Sequence, residues 1–185
     1  MLKSNYFKLF MKINGVKFGK KLNLHGIPII FKKKYSNLEI GDNCTIKSSF
    51  LSNLVGLSQR TIIIARTRDA KIEIGNNVGI SGTTIYARKS ISIGDNTLIG
   101  ANVKILDNDF HPLEVKDRNG NKIDAIKSLP IIIGENCFIG CNSIILKGSK
   151  IGNGSIVGAG SVVSGSFEDN VIIAGNPAKV IKKLS

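Results

Sequence analysis

Tryptophan is absent from this 185-residue chain, histidine occurs twice, cysteine three times and proline four times. Aromatic residues are 6% of the total. That is too few for stacking platforms along a nucleic-acid strand, and no base-reading motif is present, so no nucleic-acid partner is expected. Cys44, Cys137 and Cys141 form neither an even-numbered disulfide set nor a metal-ligand spacing. Two histidines cannot supply a three-histidine zinc site from one chain, and no metal is expected. No apolar run approaches the ~20 residues of a membrane span. The opening "MLKSNYFKLFMK" breaks its apolar residues with lysines, unlike a signal peptide's apolar stretch of about 7–15 residues. A cytoplasmic location is expected, with the membrane surface as a further option. Acidic residues are scarce as well: 13 against 26 basic ones, a net charge of +13. The first is Glu39, and nine lysines precede it. Such an excess is either a solvated basic face or a surface drawn to anionic lipid, polyanionic glycan or nucleotide phosphates.

What the chain does have is a folded composition, 42% apolar with a mean hydropathy of +0.10, and a rhythm. From Ile133 it reads IGENCF-IGCNSI-ILKGSK-IGNGSI-VGAGSV-VSGSFE, with Ile133, Ile139, Ile145, Ile151, Val157 and Val163 at the first position. Ile and Val are roughly a fifth of the chain, so six hits in one preset phase have a chance on the order of 10⁻⁴. The fifth position is small in five blocks: Cys137, Ser143, Ser149, Ser155 and Ser161. The same blocks begin upstream at Ile40, Ile74 and Ile93. A period of six fits no helix, whose face returns every 3.6 residues. It fits a chain wound as a triangular prism, one short strand per side and three blocks per coil. The β-branched residue points inward, and Gly and Asn take the tight corners. Coils about 4.8 Å apart satisfy one another's backbone hydrogen bonds. The alternative is an irregular β-sandwich, whose turn signals recur every 8–12 residues instead. The expected fold is all-β, a parallel β-helix over residues 38–168. Residues 1–37 lack hexads and form a basic N-terminal cap. Leu2, Tyr6, Leu9 and Phe10 are spaced for a short amphipathic helix, which closes the prism's open end or touches a membrane. Residues 169–185 leave through a Gly-Asn-Pro turn and are expected to end in a short helix.

One segment breaks the rhythm. After block 105–110, "HPLEVKDRNGNKIDAIKSLP" intervenes before hexads resume at residues 131–133. Loops longer than about 12–15 residues without periodicity are uncommon unless functional or disordered.

The hexads, the "HP" in the interruption and the "AGNPAKVI" near the end together resemble the hexapeptide-repeat acyltransferases. The branch is that of the maltose, galactoside and nodulation-factor O-acetyltransferases and many capsule or O-antigen acetyltransferases. The resemblance covers about residues 38–168 and implies a left-handed helix, an exception to the usual crossover rule. It implies a homotrimer with acetyl-CoA lying between neighbouring prisms, and a sugar or glycan acceptor in surface polysaccharide synthesis. It also implies that a projecting loop, here about residues 107–130, carries the catalytic histidine, His111. Imidazole suits that role. A weakly acidic sugar hydroxyl must lose its proton as it attacks a thioester, and a base with a reference pKa near 6.5 takes it at neutral pH.

Asp107 and Asp109 precede His111 closely. Either could hold the second ring nitrogen, and Asp109 shares a face with His111 if the strand persists; the alternative is that both are turn residues. Matching the family motif places Cys141, Ala159 and Ser164 along the pantetheine arm, and Lys179 and Lys182 at the nucleotide phosphates as point charges. Phe138, where the family often has Trp, becomes an apolar wall beside acceptor or thioester. Where the family has an acceptor-binding Asn, counting gives Ser81, with Thr83 nearby. Tyr86 and Arg88 are further candidates, or simply an exposed strand. His25 has no partner near it in sequence and is read as structural or solvent-exposed. Two other activities remain open: amino-sugar N-acetylation, and a non-catalytic scaffold or glycan-binding subunit.

Overall fold

A computed structural model describes residues 2–184, with Leu2 and Lys3 as backbone only. The chain is wound into a three-sided prism. Among the described residues, the three faces are sheets of seven, eight and six strands. Except for the last strand of the second face, each face takes every third strand of the sequence, and neighbouring strands run parallel. The hexad residues step around the faces in order: Ile133 on the first, Ile139 on the second, Ile145 on the third, then Ile151, Val157 and Val163 one coil on. Ile133 pairs with Ile151, Ile139 with Val157 and Ile145 with Val163. All six side chains point inward and are buried, each worth about 1.5–3 kcal/mol in apolar burial.

The small fifth residues fill the inside of the corners. Their hydroxyls are not left unpaired there: Ser143 and Ser161 donate to the Gly158 carbonyl, Ser149 to that of Leu146 and Ser155 to that of Glu168. The corner after the first face carries a column of asparagines with left-handed backbone, Asn43, Asn77, Asn96 and Asn136, at φ 56–58°. Beside it, Gly94 is required by close approach. A Cβ there would come within 2.6 Å of the backbone of Gly134 and Glu135 in the next coil.

The prism starts earlier than residue 38. Lys17–Phe18, Asn23–His25 and Ile29–Lys32 already form a first coil, in register with Asn37–Ile40, Thr45–Lys47 and Ile62–Ala65. Phe18, Leu24 and Ile30 are its inward residues, six apart like the rest. The cap is therefore only the helix Leu2–Ile13, which seats Met11 and Phe7 on the core. Of the apolar positions expected on that helix, the Leu2 side chain lies outside the described residues. Tyr6, Leu9 and Phe10 are exposed, and so is Ile13.

The expected C-terminal helix is corrected. Ala178–Lys183 is a strand that returns antiparallel on Val171–Gly175. The second face ends in an open strand edge, and main-chain pairing satisfies it where a helix would not.

Candidate active site

The interruption stands out from the corner between the third and first faces. The third-face strand Lys104–Leu106 ends, an arm leaves, and the first-face strand Ile131–Ile133 resumes in register with Ser90–Ile93 as if nothing had intervened. Two legs close the base of the arm. The Leu129 N–H donates to the Asp107 carbonyl at 2.9 Å and the Asp109 N–H to the Lys127 carbonyl at 3.2 Å. A short helix, Val115–Asn119, and a turn at Ile123–Ala125 fill the arm.

Asp107 anchors the base and does not reach His111. Fully buried, its carboxylate accepts hydrogen bonds from the Arg88 and Lys89 backbone N–H groups at 2.8 and 2.6 Å, one coil below. Burial pushes its pKa up, opposed by those two bonds. As a partner for the histidine it is thus corrected: its oxygens are spent on those two N–H groups and on the Asn108 side-chain amide at 3.1 Å. Asp109 sits differently. One oxygen accepts from Lys147 Nζ at 2.6 Å, and the other, Oδ2, is buried with no hydrogen-bond partner. The chain then turns sharply. Phe110 has φ 63°, and the His111 N–H donates to the Asp109 carbonyl at 2.7 Å, a γ-turn that is uncommon and strained for a bulky residue. His111 is exposed on the wall of a cleft of about 330 Å³. Arg66, Tyr86, Arg88, Phe110, Arg118 and Asn121 also line it.

The other expected residues lie elsewhere on the prism. Ser81 and Phe138 line a second cleft, also about 330 Å³, on the outside of the second face with Gly79 and Leu98. Thr83 is corrected. It is buried inside the prism, donating to the Ser81 carbonyl at 3.2 Å, and cannot touch a ligand. Cys141 and Ala159 stack in successive coils at the corner between the second and third faces, tied by a 2.9 Å bond from the Gly160 N–H to the Cys141 carbonyl. Ser164 is exposed at the far end of the third-face strand Val162–Val163. Lys179 and Lys182 are exposed on the returning strand. His25, exposed at the end of Asn23–His25, lies in the first coil and belongs to neither cleft.

Known proteins place this architecture. Residues 130–165 match the model of the bacterial transferase hexapeptide (six repeats), and residues 90–105 that of the hexapeptide repeat of succinyl-transferase. A galactoside O-acetyltransferase of Lactococcus lactis is 31% identical over 157 residues, which take in 84% of this chain and 67% of that protein. This chain belongs to the hexapeptide-repeat acetyltransferase family. A putative acetyltransferase of Dictyostelium discoideum is 43% identical over 122 residues, 62% of each chain. A putative lipopolysaccharide biosynthesis O-acetyl transferase of Escherichia coli, WbbJ, is 39% identical over 104 residues, 54% of this chain and 53% of its own. The matches thus span only half to two thirds of these two relatives. Among solved structures, a galactoside acetyltransferase in complex with coenzyme A superimposes with a TM-score of 0.59 at 26% identity, over 96% of this chain and 69% of that one. AntD, an N-acyltransferase of Bacillus cereus in complex with dTDP and coenzyme A, gives 0.72 at 24%, over 96% and 89%. The prism is the left-handed parallel β-helix of this family.

Two features of this site escaped sequence reasoning: the Lys147–Asp109 pair and the meeting of Arg66 with Arg88. Arg66, Arg88, Lys147 and the buried Asp107 nevertheless share one signal. Each follows the end of a third-face strand: Ala65, Ala87, Leu106 and Leu146 precede Arg66, Arg88, Asp107 and Lys147. Residues in equal phase of the repeat stack in one column.

Proposed function

We propose that this protein is an acetyl-CoA-dependent sugar O-acetyltransferase of surface polysaccharide synthesis, with His111 as general base. The observation that carries the reading is the buried Asp109 Oδ2 without a partner, two residues from an exposed histidine on a cleft wall. A ring N–H of His111 turned toward that oxygen would fix the tautomer and leave the other nitrogen free to accept a proton. Lys147 holds the carboxylate in place from the other side. Acetyl-CoA supplies the acyl thioester. His111 accepts the hydroxyl proton as the oxygen attacks, the new C–O bond replaces the C–S bond, and the proton passes to the leaving thiolate. The chain offers a seat for the donor in residue chemistry: Ala159 and Ser164 are small and exposed, Cys141 is half-buried beside Ala159, and Lys179 and Lys182 supply positive charge for its phosphates.

His111 and the Ser81–Phe138 cleft lie on different sides of one prism. A homotrimer, in which the second face of one copy meets the arm of the next, would unite them. Sedimentation equilibrium at three times the chain mass is the expected result. A cytoplasmic site of action is proposed; among the described residues no helix is long and apolar enough to cross a membrane. Contact with an anionic membrane surface is also proposed. Tyr6, Leu9, Phe10 and Ile13 form an exposed apolar stripe at helical spacing, with the lysine-rich first coil behind it. Co-sedimentation with phosphatidylglycerol vesicles, lost on Leu9→Ser with Ile13→Ser, tests this; equal binding to neutral vesicles would oppose it.

The activity is tested by thiol release from acetyl-CoA against a panel of sugars and nucleotide sugars. Mass spectrometry should find one added acetyl group, removed by mild base. A base-stable amide would point to an amino-sugar acceptor instead, and no thiol release with any sugar would reject the assignment.

A further inference from the structure

We infer that the cleft beside His111 receives an acceptor that bears a phosphate or diphosphate, not a neutral sugar. The inference rests on the acetyl-transfer reading for the word "acceptor"; the anion site itself stands on the cleft alone. Three guanidinium groups line one cavity of about 330 Å³, and they come from three separate parts of the chain. Arg66 and Arg88 follow strands of consecutive coils whose ends, Ala65 and Ala87, are register partners. Arg118 comes from the short helix of the arm. Such convergence is made by the fold, not by a local run of basic residues.

Among the described residues no carboxylate pairs with any of the three. All five ion pairs are formed by lysines. The acids nearest the cleft are otherwise engaged or turned away. Asp107 is bound to backbone, Asp109 to Lys147 and Asp117 to Lys122, and the exposed Glu114 and Asp124 do not line the cleft. Two of the guanidiniums are oriented by backbone carbonyls. Arg118 Nη1 donates to Pro112 and Leu113 at 3.1 and 2.8 Å, and Arg88 Nη2 to Ile123 at 3.3 Å. Each bond uses one edge of a planar fork and leaves other N–H groups free. Three like charges around one cavity repel one another, and an anion in their midst adds an attraction to each that offsets the repulsion. Phosphate suits them because the guanidinium fork meets its oxygens in bidentate geometry. Part of the remaining wall is aromatic: the Tyr86 and Phe110 rings, 4.9 Å apart, give a face for a sugar ring or a base.

The diphosphate could be that of a nucleotide sugar or of a lipid-linked sugar, and the chemistry recognised is the same. The test is a calorimetric titration of the full-length protein with inorganic pyrophosphate, in saturating coenzyme A so that the donor's own phosphate site is filled. Binding is expected, and Arg88→Gln and Arg118→Gln should each weaken it about tenfold or more, in line with the loss of a charge-assisted contact. Coenzyme A affinity kept in both variants verifies their fold. UDP and farnesyl diphosphate, titrated in the same way, tell the two sources apart; tighter binding of either than of pyrophosphate supports the inference. Pyrophosphate affinity equal in wild type and both variants overturns it, as does pyrophosphate binding that coenzyme A abolishes. Neither result depends on turnover, so a protein that transfers no acetyl group would sink the activity and leave the anion site to be judged separately.

Discussion

The strand Ile131–Ile133 holds three consecutive isoleucines, and the prism gives neighbours opposite fates. Ile133 is 1% exposed inside, whereas Ile132 is 44% exposed outside. Deleting the same atoms at the two positions should therefore cost different amounts. Ile133→Ala empties part of a column between Ile93 and Ile151. The walls cannot close on the void, because hydrogen bonds hold the coils about 4.8 Å apart. The cost belongs in the upper part of the range for buried Ile→Ala changes, about 3–5 kcal/mol. Ile132→Ala leaves no cavity and forfeits roughly half of a side chain's burial, about 1 kcal/mol. At about 2–4 °C per kcal/mol for a chain of this size, the melting temperature should fall by about 6–20 °C for Ile133→Ala and by about 2–4 °C for Ile132→Ala. Thermal and urea melts followed by circular dichroism measure both. Equal losses, or a larger loss at Ile132, would refute the inward assignment of the six-residue phase.

Asp107→Ala removes the acceptor for two backbone N–H groups. Unpaired N–H groups cost about 1–3 kcal/mol each, and relief of the carboxylate's desolvation offsets part of that. A net loss of about 1–3 kcal/mol in urea melts is expected; stability within about 0.5 kcal/mol of wild type would remove Asp107 as the anchor of the arm. Acid stability should register Asp95. Hydrogen bonds from the Asn76 backbone and side-chain N–H groups hold its carboxyl below the usual 3.8. A depressed folded pKa means that its contribution is present above the unfolded value and is lost as pH falls through the folded one. The stability gap between wild type and Asp95→Asn should close as the solution is acidified below that value; a gap constant down to the acid limit would contradict this.

The repeated coils were legible because an interior this narrow leaves little choice: a β-branched residue every six positions and a small one at each corner. The first coil obeys the same arithmetic with Phe18, Leu24 and Ile30, but it lacks the Ile-Gly-x-Asn corner that makes the phase visible, and it was read as a cap. The tail "AKVIKK" suggested a helix. Sequence cannot show that an unpaired strand edge at Val171–Gly175 awaits it. At the proposed site, the break in rhythm marks the arm that carries His111, but the division between the two aspartates is not visible in it. The strand ends at Leu106 and the left-handed Phe110 redirects the chain, so two-residue spacing no longer means a shared face. Thr83 failed for a related reason: counting gave the right coil and the wrong side of the wall. The place of Arg118 in the cleft depends on where the arm folds back, which no local pattern encodes.

The account turns on one imidazole. With the acceptor found by the thiol-release panel, His111→Ala should lower turnover by about 10²–10⁴-fold, the usual worth of a positioned general base, while coenzyme A binds with wild-type affinity. Wild-type turnover in that variant would contradict the assignment of the arm as the catalytic element.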